Sequence, residues 1–137
     1  MSGRDLSGPL RNVVVAALLA DPGITALVGS RVYDYVPAAP AYPFLRCITT
    51  IALPWEATGG VRGSLIRLQV DTFTKGYGHD SAEPLAAAVA AALDEVDLPL
   101  SQGSVVSLRW LQSKLLDDPA EQGVVHGVIE FESVAAL

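Results

Sequence analysis

The chain has 137 residues, half of them hydrophobic, which suits one domain with a single core. A formal net charge of -6 and nine scattered Lys and Arg residues argue against binding to the phosphate backbone of a nucleic acid, because such binding needs clustered basic side chains. A single cysteine excludes an internal disulfide, and no apolar run is long enough to cross a bilayer. We therefore expect one soluble domain over residues 1–137 with no membrane partner.

The first predicted element is a helix over residues 9–20, after a tail, residues 1–7, that we expect to be frayed. Apolar residues recur in it at helical spacing. Asp21 ends it, because the residue before a proline is disfavoured in the α region. Three short segments follow: an apolar turn (22–28), a short strand (31–33) and an extended Pro-rich stretch (34–43).

Four main strands are predicted over residues 44–53, 64–75, 104–116 and 123–134. The second is the clearest, because apolar residues from Ile66 to Val70 alternate with polar residues from Arg67 to Asp71. The Gly-rich segment 54–63 is expected to be a mobile loop. Trp110 is expected to lie in the core.

An Ala-rich helix is predicted over residues 80–96, with Asp80 or Ser81 as its N-cap. Pro99 prevents its continuation. The order of elements predicts an α+β fold, a mostly antiparallel four-stranded sheet with helices packed on one face.

Residues that could act in catalysis or bind a metal are few and scattered. Residues 79–81, His-Asp-Ser, are too close in sequence for a catalytic triad and are interpreted as a helix start. His126 shares a predicted strand face with Glu130 and Glu132, where a metal site is conceivable but a solvated face is favoured. Cys47 lies in an apolar strand and is interpreted as a core thiol. We predict no catalytic residue, no bound metal and no cofactor.

A set of local patterns occurs in a particular order along the chain. It comprises Leu19-Ala20-Asp21-Pro22, the run from Leu27 to Tyr33, Pro43 before a strand, the Gln69-Val70-Asp71 strand, an Ala-rich helix ending at Leu93-Asp94, and a final pair of apolar strands. The ordered set resembles the tail-terminator (tail-completion) proteins of long-tailed phages and gene-transfer agents. The resemblance implies a tail-terminator-like α+β domain with a structural, non-enzymatic role.

The resemblance also implies partners. Such proteins form a ring, most commonly a homohexamer, that caps the tail tube, ends its polymerisation and forms the head–tail joining interface. The implied partners are further copies of the chain, the tail-tube protein and a head-completion or connector protein. DNA would pass through the lumen without specific binding, because an acidic wall repels phosphates. The implied location is the virion, after assembly in the bacterial host cytoplasm.

We predict interface residues in three places. They are Asp34 and Tyr35 in the Pro-rich stretch, Trp55, Glu56 and Arg62 in the Gly-rich loop, and Arg67 and Asp71 on the polar strand face. Trp55 is the expected anchor, since large aromatic residues dominate binding hot spots. Two simpler interpretations stay open, namely that Trp55 packs on its own sheet and that the polar face is only solvated.

Two other functions remain possible from the sequence. One is a small-molecule enzyme or ligand-binding module on a dimeric α+β sheet, with a pocket near Arg67, Asp71 and His126. The other is a different head–tail adaptor protein.

Overall fold

The computed structural model describes residues 3–76 and 78–137, and these form three helices and one five-stranded sheet. In chain order the elements are α1 (Ser7–Ala20), α2 (Pro22–Val28), β1 (Val32–Tyr33), β2 (Phe44–Ala57), β3 (Val61–Lys75), α3 (Ala82–Leu93), β4 (Ser104–Asp117) and β5 (Val124–Ala136).

The strand order is β1-β2-β3-β5-β4. All neighbours are antiparallel except β1, which pairs in parallel with β2 through Leu45 and Arg46. The α+β class is confirmed, but the sheet is mixed and has five strands instead of four. The additional strand is β1, which falls within the short strand predicted at 31–33. Because β1 and β2 are parallel, the Pro-rich stretch between them carries the chain back to the same end of the sheet.

The helices cover one face of the sheet, as predicted. Ile66, Leu68 and Val70 of β3 have almost no exposed surface and join the same buried cluster as Val89 and Leu93 of α3. The opposite face, which we call the open face, carries the odd-numbered residues of β3. Strand alternation therefore placed the core on the correct side.

The predicted apolar turn at 22–28 is in fact a second helix. The carboxylate of Asp21 accepts hydrogen bonds from the amides of Gly23 and Ile24, 2.8 and 3.2 Å away, which caps that helix. No single helix in the described residues is long and apolar enough to span a membrane, although α1 and α2, bent by 81°, pass that test together. Their inward residues Leu18 and Ile24 are fully buried in the core.

The N-terminal segment is packed, which corrects the prediction of a frayed tail for residues 3–7. Leu6 is buried, and its amide donates to the hydroxyl of Ser64 at 3.1 Å. Residues 1 and 2 lie outside the described residues.

Helix α3 is shorter than predicted at both ends. Ser81 stands at its N-cap position but makes no side-chain capping bond. At the other end, the carboxylate of Asp94 accepts a 2.9 Å hydrogen bond from the amide of Trp110 on β4. A tertiary contact therefore attaches the end of α3 to the sheet.

The predicted loop at 54–63 is mostly strand. Trp55 pairs with Gly63 and Ala57 with Val61, which leaves only a three-residue turn. Pro54 is tolerated because β1 covers β2 only at its first residues, so β2 is an edge strand there. Strand β5 ends at Ala136, opposite Gly63, so the hairpin tip projects beyond the sheet. We call residues 51–65 the arm.

Candidate assembly surfaces

A polar network on the open face of the sheet is centred on one buried carboxylate, that of Asp71. One oxygen of the Asp71 carboxylate accepts two hydrogen bonds from Arg46, 2.7 and 3.1 Å long. The other accepts from Gln69 at 2.8 Å and from Nε2 of His126 at 2.9 Å. Asp71 has no exposed surface in the subunit. The predicted contact residue Asp71 is thus an internal residue, and we assign it the role of holding Arg46 and His126.

An aromatic row lies beside this network. The rings of Tyr42, Phe44, Phe73 and His126 follow one another at centroid distances of 5.3, 4.7 and 4.5 Å. His126 is held between the Phe73 ring and the Asp71 carboxylate. Within residues 3–76 and 78–137, no group of three or more His, Cys, Asp or Glu side chains is arranged to hold a metal.

The remaining predicted contact residues fall into separate places. Arg67 lies on the open face and pairs with Glu132 of β5 at 3.1 Å. Asp34 and Tyr35 lie in the Pro-rich stretch, where Tyr35 is 85% exposed. The pocket considered near Arg67, Asp71 and His126 would need an accessible Asp71, which the structure does not provide.

Trp55, Glu56 and Arg62 come together on the arm. Glu56 pairs with both Arg4 and Arg62, at 3.1 and 3.5 Å. Arg4 also donates to the carbonyl oxygens of Trp55 and Gly63, at 3.2 and 3.4 Å. The N-terminal segment therefore braces the arm, and Trp55 itself is half-buried.

The arm exposes an apolar strip that sequence reasoning missed. Ile51, Leu53 and Val61 are 52%, 53% and 40% exposed. The sequence does contain the alternating pattern of a strand here, because large apolar residues stand at positions 51, 53 and 55. Pro54 and the following glycines suggested a loop and hid this alternation.

A second apolar surface lies at the opposite edge of the sheet, on the helix side. Trp110 of β4 is 45% exposed, so the prediction that it lies in the core is wrong. It does face the helices, opposite Phe131, but β4 is an edge strand, and the Trp110 ring stays partly exposed beside α3. Its indole N–H donates to the Ser113 hydroxyl at 3.0 Å. Between β4 and α3 lies an open groove lined by Glu83, Ala86, Ala87, Ala90, Trp110, Ser113 and Leu115, which we call the Trp110 groove.

The residues considered for chemistry are poorly placed for it. Burial, with a smaller effect of the Asp71 charge, raises the pKa of the Cys47 thiol to about 12, so the thiolate nucleophile is strongly disfavoured. His79 lies 3.8 Å from Asp117 at an exposed position. Its neighbours Asp80 and Ser81 lie just before α3, with Ser81 at the N-cap position.

The fold and its surfaces define a small α+β domain with exposed apolar residues at both edges of its sheet. The family model for tail completion protein gp17 matches residues 12–136, so the chain belongs to that family. A chain in the solved structure described as "Virion of native gene transfer agent (GTA) particle" is 27% identical, with a TM-score of 0.86 over 96% of this chain and 98% of that one. A second solved structure, 17% identical, shares the fold with a TM-score of 0.58 over 95% and 92% of the two chains. Curated proteins gave no significant match.

Proposed function

We propose that this protein is a structural component of a phage or gene-transfer-agent virion that caps the tail tube. In this proposal six copies form a ring on the last tube ring, end polymerisation and present the surface that the head-completion protein binds. The observation that carries it is the family match over residues 12–136, together with the likeness to a virion chain along nearly the whole length.

The surface of the subunit agrees with an assembly role. Exposed Ile51 and Leu53 at one edge of the sheet and Trp110 at the other leave apolar area that a neighbour would cover. A contact between two different patches, repeated by rotation, closes into a ring. The net negative charge keeps DNA from adhering to a lumen wall. The free subunit is expected to be a monomer that assembles at high concentration or on a tube.

Deletion and complementation in the producing host test this function. Without the gene, electron microscopy should show tails of uncontrolled length that fail to join heads. The wild-type gene should restore uniform, joined tails, with the protein present at the head-proximal end of the tube. Tails of normal length, joined to heads in the deletion strain, would refute the proposal.

A further inference from the structure

The arm loses the support of the sheet at the residue pair Trp55/Gly63. This is the last pair of the β2–β3 ladder beside which β5 lies, because β5 ends at Ala136, the partner of Gly63. One further hydrogen bond follows, from the amide of Leu137 to the carbonyl oxygen of Arg62. The part of the arm beyond this pair is a two-stranded hairpin, which is marginally stable unless something else packs on it.

Arg4 contacts both strands of the arm at this point. It donates hydrogen bonds to the carbonyl oxygens of Trp55 and Gly63, 3.2 and 3.4 Å away, so one guanidinium joins the two strands. It also forms an ion pair with Glu56 at 3.1 Å. Glu56 pairs in turn with Arg62 across the hairpin at 3.5 Å. We call the contacts of Arg4 with Trp55, Gly63 and Glu56 the Arg4 clasp.

The chain next to Arg4 is fixed to the core. Leu6 has 1% of its surface exposed, and its amide donates to the buried hydroxyl of Ser64 at 3.1 Å. The Asp5 carboxylate accepts hydrogen bonds from the amide and the hydroxyl of Ser7, 3.0 and 2.7 Å long, at the start of α1. Arg4 is therefore two residues from a fixed point, which lowers the entropy that is lost when its side chain binds the arm.

The Arg4 clasp leaves the apolar strip of the arm uncovered. Glu56 pairs with Arg62, an even-numbered residue of β3, and so belongs to the helix side. Ile51 and Leu53 point to the open face, because their partners in β3 are odd-numbered and paired residues of antiparallel strands share a face. Both are about half exposed. The chain's own residues thus brace one side of the arm and leave the apolar strip on the other side exposed.

We propose that Arg4 is a positioning residue for assembly, which holds the arm in the direction that its apolar strip needs to meet a neighbouring subunit. This inference rests on the proposed ring and names a residue that controls its formation. An unbraced hairpin would have to be ordered during association, and that ordering would reduce the affinity. Lysine is a poor replacement, since its ammonium lacks the planar set of donors that reaches two carbonyl oxygens and a carboxylate.

The free subunit tests the Arg4 clasp. Arg4→Ala should speed amide exchange in the paired residues of 56–62 about fivefold, with the centre of β3 and the thermal midpoint nearly unchanged. In a Trp110→Phe background, the fluorescence anisotropy of Trp55 should fall, because the arm moves more freely. Arg4→Lys should loosen the arm nearly as much. Arg11→Ala, at a partly exposed arginine of α1, is the matched control and should behave like wild type.

Assembly tests the consequence of the Arg4 clasp. Arg4→Ala should weaken self-association about tenfold in sedimentation over a concentration series. In the deletion strain it should restore fewer joined tails than the wild-type gene does.

A double-mutant cycle with Leu53→Ala separates positioning from direct contact. If Arg4 acts through the apolar strip, the two substitutions together should weaken association less than the sum of their separate effects. A guanidinium that contacted the neighbour directly would leave the exchange of the arm unchanged and would give additive effects.

The outcomes separate this inference from the proposed function. Unchanged arm exchange in Arg4→Ala would overturn the Arg4 clasp. A loosened arm with normal association and normal tails would overturn its role in assembly. Normal, joined tails in the deletion strain would refute capping, and sedimentation would still decide the role of Arg4. A wild-type protein that neither self-associates nor is needed for joined tails would overturn that role as well.

Discussion

Arg46 and Asp71 face each other across the β2–β3 ladder, and the guanidinium donates two hydrogen bonds to one oxygen of a carboxylate that has no exposed surface. Such a carboxylate depends on its partners, because an unpaired buried charge is costly. Gln69 and His126 satisfy its other oxygen. The Asp71 side chain thus links three neighbouring strands on the open face, β2, β3 and β5.

We expect Asp71→Asn to lower the free energy of unfolding by about 2–4 kcal/mol, because it removes a charged acceptor from Arg46 and His126. Urea denaturation measures the change. The exposed Asp34→Asn serves as the control and should stay within about 0.5 kcal/mol of wild type. An unchanged midpoint for Asp71→Asn would show that the network adds nothing to stability.

Leu68→Asp is expected to unfold the domain. Leu68 lies beneath the helices with 1% of its surface exposed, and a carboxylate there would have neither water nor a partner. Circular dichroism and thermal melting report the loss. Leu116→Asp, on the exposed part of β4, should still melt cooperatively. A folded Leu68→Asp protein would mean that the helices do not cover this face.

The arm should exchange its amide hydrogens slowly except at its tip. A loop at 54–63, as the sequence predicts, would exchange fast throughout, but the paired ladder of β2 and β3 predicts protection there, with Gly59 and Gly60 remaining fast. Arg4→Ala should speed exchange in the arm about fivefold, the equivalent of about 1 kcal/mol. Hydrogen-exchange mass spectrometry measures this, with the centre of β3 as internal reference. Uniformly fast arm amides in wild type would favour the original loop prediction.

Cys47 should make the protein less stable in alkali. Its thiol has a pKa of about 12 in the folded state against an ordinary value of 9.0. Between these values the unfolded chain loses the proton and the folded chain keeps it, so stability falls as pH rises, by about 1.4 kcal/mol per unit. Denaturation at about pH 8, 9 and 10 should show this loss beginning in wild type, about 0.3 kcal/mol over the first interval and about 1 kcal/mol over the second, with the full slope reached only above about pH 10.

Cys47→Ala should lack that part of the slope, and this variant is the control for other groups that titrate in alkali. Equal slopes in the two proteins would contradict the assignment. The native thiol should also resist alkylation until the protein unfolds.

Trp55→Ala should weaken assembly by about 2 kcal/mol or more if this residue is a hot spot, while the monomer melts nearly as wild type does. The half-buried position of Trp55 on the arm motivates the prediction. Association is measured by sedimentation, and the fold by circular dichroism. A variant that assembles normally would restrict Trp55 to packing on its own sheet.

The helix face could be predicted because its signal is local. Ile66, Leu68 and Val70 alternate with polar neighbours, and a period of two places every second residue on one face whatever the surroundings. The Asp21-Pro22 break and the Ala-rich helix are likewise properties of the residues themselves. The resemblance to tail-terminator proteins followed from the same local patterns, and the family match confirms it.

Whether each face is covered depended on the tertiary structure. Trp110 points to the helix side as its alternation requires, yet it is partly exposed because β4 became the edge strand of the sheet. Asp71 is polar and on the open face, yet it is buried because Arg46 and His126 come from the strands on either side of it. The order of strands in a sheet is set by contacts between distant segments, and no local pattern encodes it. Sequence alternation therefore determined which way each side chain points, and only the tertiary structure decided what lies there to cover it.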